Sequence, residues 1–298
     1  MSIKNRDLSD VDGIQDPQVP NWAELELAQT WADQINFSRP SGWWQLFRAI
    51  KGPPQRVQVD SADALFTNIP KYALQEFHNL PNGNYSSRIS RGYIKGFDVS
   101  MLGVVSRFRQ AMAAQVANCR AVLDVGTAGG TLAFEVQRAG VADVWGVDVS
   151  PYLLKHAATD YPEIRFVQAP AENLPFADQR FDAIVLCFLL HEMPPKYVRQ
   201  ALAEFHRVLA PGGKLLIAEP SPAQLLPIAW GSLLSAAGWR HLYFKTLARF
   251  VYEPFVAPWH KEDKTALFNA AGFTICKHED RIPINFFELQ KTPADHTD

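Results

Sequence analysis

Ala121-Val122-Leu123-Asp124-Val125-Gly126-Thr127-Ala128-Gly129-Gly130 reads as a buried strand that ends close to an acid and turns into a helix. The apolar run from Ala121 to Val125, broken only by Asp124, suits a strand covered on both faces. Gly126, Gly129 and Gly130 permit a sharp turn and leave no side chains over it. A ligand can then lie directly against the main chain and face the amides of a helix N-terminus. Glycines alone serve a purely structural turn equally well.

A second acid decides between the two. Asp148 closes the next apolar run, Val144–Val147. An acid at the tip of the second strand of a βαβ unit suits a ribose, because one carboxylate accepts from both hydroxyls. Val149 follows it and can pack on an adenine face. Asp124 stands two residues before the first glycine, where it would repel the pyrophosphate of a nicotinamide cofactor and attract a cation. The two acids together point to a nucleoside with a cationic, amino-acid-like tail, which describes S-adenosylmethionine.

The totals narrow the class. The 298 residues allow one large domain, or a core domain with an extension. With 47% hydrophobic and 20% charged residues the composition is that of an ordinary globular protein, and a net charge of -2 gives no overall attraction to nucleic acid. Cys119, Cys187 and Cys276 share no metal-ligand or redox spacing and read as free thiols of a reducing compartment. The first 20 residues lack a secretory pattern. The longest apolar runs, Ala183 to Leu190 and Leu225 to Gly238, fall short of the ~18 to 20 residues that a bilayer requires. A cytoplasmic protein without a transmembrane segment is expected.

Along the chain, residues 1–20 read as a flexible tail and 21–98 as an N-terminal helical cap. The cap is dense in Trp22, Trp31, Phe37, Trp43, Trp44 and Phe47, and the spacing of Trp43, Trp44 and Phe47 predicts a helix whose aromatics pack on the main domain. Leu102, Val105, Phe108, Met112 and Val116 predict one amphipathic helix over 98–116. Strands Ala121–Val125, Val144–Val147, Ile164–Gln168, Ala183–Phe188 and Lys214–Ala218 then alternate with helices. That pattern is α/β, a mostly parallel sheet with helices on both faces. Residues 222–262 interrupt it with helical spacing at Leu226, Trp230, Leu233 and Leu234, and again at Tyr243, Leu247 and Phe250. Such an insertion would cover the carboxyl ends of the strands as a helical lid. A strand pair, Phe273–His278 and Pro283–Gln290, closes the domain, and 291–298 read as a tail.

Asp124-Val125-Gly126-Thr127-Ala128-Gly129-Gly130 resembles the nucleotide-binding motif of class I S-adenosylmethionine-dependent methyltransferases. Asp148 falls at that family's ribose-binding acid. Ala171-Glu172-Asn173-Leu174-Pro175-Phe176 is similar to its adenine-side segment, Phe181-Asp182-Ala183-Ile184-Val185 to its fourth strand, and Arg207-Val208-Leu209-Ala210-Pro211-Gly212-Gly213 to the turn before the fifth. The resemblance covers about residues 100 to 290 in order, and its nearest branch is the small-molecule enzymes of ubiquinone and menaquinone biosynthesis. It implies a Rossmann-like sheet with an antiparallel last strand, over a domain of residues 99–290. It implies S-adenosylmethionine held by Asp124, Val125, Gly126, Thr127, Gly130, Asp148, Val149, Ala171, Glu172 and Phe188.

Two positions depart from the pattern: Ala128 replaces the middle glycine, and Pro170 stands where relatives carry an aspartate toward the adenine amino group. The run Phe188-Leu189-Leu190-His191 is unlike the Asn/Asp-Pro-Pro-Tyr/Phe of amino-directed methylases, which disfavours a DNA or glutamine-amide acceptor. His191, after the fourth strand, is the candidate general base. Tyr93 resembles the aromatic that closes the cofactor's methionine end. His241, Tyr243, Glu253 and His260 are candidates to orient the acceptor, and Glu219 is a candidate acid or a cap. The lid's aromatics suggest a small apolar or aromatic acceptor, such as a quinol, phenol, lipid or specialised metabolite. No metal is expected. The rival readings are a nicotinamide-dependent oxidoreductase, which Asp124 opposes, and a non-catalytic binder of the same cofactor.

Overall fold

A computed structural model describes residues 16–60, 63–227 and 235–292. Ahead of the sheet the chain forms α1 (Pro40–Lys51), α2 (Ala64–Thr67), α3 (Ser87–Ser100) and α4 (Val104–Gln115), joined by loops and two single 3-10 turns. Helices α1, α2 and most of α3 fall within the expected helical cap of residues 21–98, with loops between them. The cap's aromatics face the other way, since Trp43, Trp44 and Phe47 are exposed while Trp22 is buried. Asp16, read as tail, accepts from Arg180 Nε at 2.8 Å and Nη2 at 2.9 Å.

The single helix predicted over 98–116 is two helices. Ser86 caps α3 from the N-terminal side, its Oγ accepting from Ile89 N at 3.3 Å. Leu102 and Gly103 then take left-handed conformations, with φ of 52° and 65°. A left-handed residue cannot continue a right-handed helix, so α4 restarts with Gly103 as its N-cap. Leu102 is exposed as a result, whereas Val105, Met112 and Val116 are buried as their spacing predicts.

Strand β1 (Ala121–Val125) is buried at all five positions. Around it lie α5 (Thr131–Arg138), β2 (Asp143–Asp148), α6 (Pro151–Asp160), β3 (Arg165–Gln168), β4 (Phe181–Cys187), α7 (Pro195–Val208) and β5 (Leu209–Pro220). Ser150 caps α6, with Pro151 at its first turn, as the sequence suggests. The chain closes with α8 (Ala236–Phe250), α9 (Val256–Lys261), α10 (Lys264–Ala270), β6 (Phe273–Arg281) and β7 (Ile284–Lys291). The sheet order is β3-β2-β1-β4-β5-β7-β6, with β7 antiparallel to both neighbours. This is the Rossmann-like arrangement with an antiparallel last strand.

One core fills the face under α7 and α10, another the face under α4, α5 and α6. Lys291 belongs to β7 and not to a tail; its Nζ donates to His206 O and Leu209 O, both at 2.7 Å. Of the helical face predicted at Leu226, Trp230, Leu233 and Leu234, only Leu226 falls within the described residues, and it is exposed. Residues 1–15 and 293–298 also lie outside them.

Candidate active site

In open α/β sheets ligands bind beyond the carboxyl ends of the strands, where the strand order reverses. Here that point lies between β1 and β4, and three adjoining compartments open there. Tyr93 and Phe188 belong to all three.

The first compartment, about 850 Å³ with the open space at its mouth included, is lined by Gly126, Ala128, Asp148, Val149 and Ala171 and by Tyr72, Asn84 and Tyr85. Asp148 is nearly buried, and its oxygens accept from Ala128 N and Ser150 N, each at 2.9 Å. Burial pushes its carboxyl up to about 6 against the pull of those amides. Each oxygen keeps a further lone pair for a hydroxyl donor. Asn84 Oδ1 and Tyr85 OH are buried without a partner. Unpaired buried polar atoms in a cleft call for a ligand or water that bonds them. Val125 and Gly126 line this space at the end of β1; a Cβ on Gly126 would meet Leu189 Cδ1 at 2.9 Å.

The second compartment is smaller and polar. Asp124, Arg109, Thr127 and Thr131 line it, beside Tyr93 and Phe188. Asp124 Oδ2 accepts from Thr127 Oγ1 at 2.7 Å and from Ala133 N at 3.0 Å. Burial raises its carboxyl to about 7, and the Arg109 guanidinium opposes that rise. Arg109 pairs with Asp98 through Nη2, leaving Arg109 Nε and Asp98 Oδ1 buried and unpartnered. A carboxylate and a guanidinium facing one small space match the ammonium and carboxylate of an amino-acid terminus. Arg109 was missed in the sequence because a cation on an amphipathic helix reads as its solvent face.

The third compartment, about 2030 Å³ with the open space at its mouth included, is mainly apolar, with Phe37, Trp43, Ile50, Phe97, Met101, Leu247 and Phe250 among its walls. Its titratable groups include His78, Glu253 and His260, and the His78 ring lies against Tyr93. His78 Nε2 lies 3.3 Å from Glu192 Oε1 and 3.4 Å from Glu253 Oε1, and its ring stacks on Tyr93 at 5.4 Å. Its Nδ1 is buried with no partner. Burial would lower the His78 pKa, but the two carboxylates outweigh it and raise it. At His260 burial and the Lys264 charge outweigh the carboxylates and drop its pKa to about 4.

Several predicted site residues stand elsewhere. His191 lines none of the three compartments. It is buried, with Nδ1 2.6 Å from Glu219 Oε2 and Nε2 3.8 Å from Glu253 Oε1. Glu219 also accepts from the amides of Leu189, Leu190 and His191, so it caps the turn after β4. Gly130 is the left-handed N-cap of α5 and backs onto Phe166, Tyr161 and Ala157, away from the cleft. Glu172 lines none of the three compartments; its Oε2 accepts from Tyr72 OH at 2.8 Å and its Oε1 is buried without a partner. His241 is exposed and Tyr243 donates to Ser100 O; neither lines the cavity. Glu253 and His260 do. His78 escaped the sequence reading because it lies in a turn-rich loop with no periodic pattern. Among the described residues no group of three or more His, Cys, Asp or Glu side chains is arranged to hold a metal ion.

The sheet order defines a protein of the Rossmann-like class. Residues 122–213 match a methyltransferase-domain family. The demethylmenaquinone methyltransferase of Chlorobaculum parvum is 41% identical over 99 residues, which are 33% of this chain and 40% of that protein. The Thermus thermophilus enzyme of the same name is 34% identical over 173 residues, 52% of this chain and 74% of that one. The chain therefore spans less than half the length of the first relative and about three quarters of the second. A solved 1,6-didemethyltoxoflavin-N1-methyltransferase from Burkholderia thailandensis is 21% identical, covering 69% of this chain and 86% of that one at a TM-score of 0.47. The chain belongs to the class I S-adenosylmethionine-dependent methyltransferases. S-adenosylmethionine is the cofactor of that family, and the unpartnered atoms of the first two compartments suit its nucleoside and its zwitterionic end.

Proposed function

We propose that the protein methylates a small apolar or aromatic hydroxyl-bearing acceptor, such as a quinol or phenol, held in the third compartment. The observation that carries this reading is the junction at Tyr93 and Phe188, where the cleft of Asp148 and the small compartment of Asp124 meet a large apolar cavity. Relatives that are demethylmenaquinone methyltransferases support a quinol-like acceptor. Bound S-adenosylmethionine supplies a methyl group on a cationic sulfur.

The chain's own residues align, desolvate and deprotonate. Asp148 takes the ribose hydroxyls, Val149 and Ala171 flank the base, and Asp124 with Arg109 fixes the amino-acid end. Tyr93 and Phe188 close the junction against water, which favours an in-line approach. A proton leaving the acceptor hydroxyl goes to His78 Nδ1, while Glu192 and Glu253 hold the Nε2 proton. The oxygen or the conjugated ring carbon then has the electron density to accept the methyl. His191 acts behind this pair, holding Glu253 through charge, and is a positioning residue.

Calorimetric titration with S-adenosylhomocysteine tests the cofactor site. Binding is expected, and it weakens as pH falls: protonation of Asp124 near 7 and of Asp148 near 6 removes acceptors that the ligand needs. The loss approaches tenfold per pH unit below 6 for the Asp148 step alone. Asp148→Asn weakens binding and flattens that lower step. Absence of binding to the unaltered protein would refute the assignment. For the base, His78→Gln is expected to cut turnover on a hydroquinol acceptor about 100-fold or more and leave cofactor binding intact. Cofactor binding without methylation of any acceptor in a hydroquinol and phenol panel would favour a binding protein instead.

A further inference from the structure

We infer that the outer faces of α1 and α8 form a docking surface for an anionic lipid bilayer, placed at the mouth of the apolar cavity. Both helices show large apolar side chains to solvent: Trp44 is 61% and Trp239 59% exposed, with Trp43, Phe47 and Phe250 each about half exposed or more. They are ordered rows and not scattered residues. On α1, Trp43, Leu46 and Ile50 face the cavity, while Trp44 and Phe47 stack at 5.6 Å on the outward side. On α8, Trp239, Tyr243 and Phe250 fall four and seven residues apart, on one stripe. The two helices meet at Lys51, whose Nζ lies 5.9 Å from the Phe47 ring centre and 5.2 Å from that of Phe250. Trp43 and Phe250 are at once exposed and part of the cavity wall, so the patch is continuous with the cavity.

Charge selects the occupant. The protein holds 31 acids among 298 residues, yet none stands between Asp33 and Asp60 or between Glu219 and Glu253. Those two stretches, which contain α1 and α8, carry Arg39, Arg48, Lys51, Arg240, Lys245 and Arg249. In a protein of net charge -2, the two stretches that carry these aromatics thus hold cations and no acids. Aromatic and aliphatic side chains flanked by Lys and Arg form the pattern of a helix lying in the interface of an anionic membrane. A soluble monomer rarely leaves such a patch uncovered. No described helix is long and apolar enough to cross a membrane, so the contact is peripheral. An apolar acceptor dissolved in the bilayer would then reach the cavity without crossing water. The docking surface does not depend on which acceptor is methylated.

Co-sedimentation of the full chain with phosphatidylcholine vesicles, with and without phosphatidylglycerol, tests this. The protein is expected to pellet with the anionic vesicles, to release as salt rises, and to bind neutral vesicles at least tenfold more weakly. Trp44→Ser with Trp239→Ser, neither residue lining any compartment, is expected to lower partitioning at least tenfold while S-adenosylhomocysteine binding persists. Arg48→Glu with Arg240→Glu keeps the aromatics and is expected to abolish the preference for anionic lipid. Equal sedimentation with and without vesicles, or unchanged partitioning of both variants, overturns the proposal. A dimer in sedimentation equilibrium that the Trp variants dissociate also overturns it, because the patch then belongs to a second copy of the chain.

Discussion

Ala128 shows how much a single Cβ matters at this site. It sits at φ 47°, in the left-handed region, and its amide donates to Asp148 Oδ2. That conformation costs a residue with a Cβ about 1–2 kcal/mol, a cost glycine avoids. Glycine's looser unfolded chain takes back about 0.4–1 kcal/mol. Ala128→Gly is therefore expected to raise the melting temperature by about 1–3 °C without changing S-adenosylhomocysteine affinity. A fall of several degrees by calorimetry would show that the turn is not strained. His78, Asn79 and Phe188 share the left-handed conformation, with φ of 57°, 58° and 64°, so four such residues other than glycine border the compartments. Strain held where a ligand binds is a usual feature of preorganised sites. Little of it is legible in the sequence, because nothing about His, Ala or Phe announces a positive φ. The acids Asp124 and Asp148 were legible, since their meaning comes from residue type and place at a strand end.

At the scale of elements, His191 and Glu219 pin the turn after β4 to the end of β5. Burial would lower the His191 pKa, but Glu219, 2.6 Å away, reverses this and lifts it to about 9. The folded pKa exceeds the ordinary 6.5, so the folded state holds the extra proton. The stabilisation is complete below pH 6.5 and is lost as pH rises through 9. The stability gap between the unaltered protein and His191→Gln is expected to narrow steadily from pH 6.5 to 9.5 in urea unfolding. A gap constant with pH would mean the pair is not charged. Strands β1 to β5 were readable because parallel strands buried on both faces are apolar runs. The break between α3 and α4 was not, because the apolar spacing continues across Leu102 while the backbone does not. The pairing of His78 with Glu253 was equally hidden: it joins a loop before the sheet to the inserted segment, and no local period reports such a contact.

Across the whole molecule, the open sheet has two outer strands, β3 and β6, and each is protected differently. Strand β6 carries Lys277, Glu279, Asp280 and Arg281, charges that discourage another strand from adding on. Strand β3 is covered by the chain's own early segment. Trp22 Nε1 donates to Phe166 O at 2.8 Å, while Lys155 Nζ and Tyr152 OH bind Leu25 O and Ala28 O at 2.6 Å. Deletion of residues 1–30 is expected to leave the nucleotide cleft's strands intact and to make the protein self-associate, seen as rising light scattering at fixed concentration. Unchanged scattering would show that β3 needs no cover. The buried indole of Trp22 thus ties the early segment to the open strand, a role separate from chemistry that the scattering measurement reads directly.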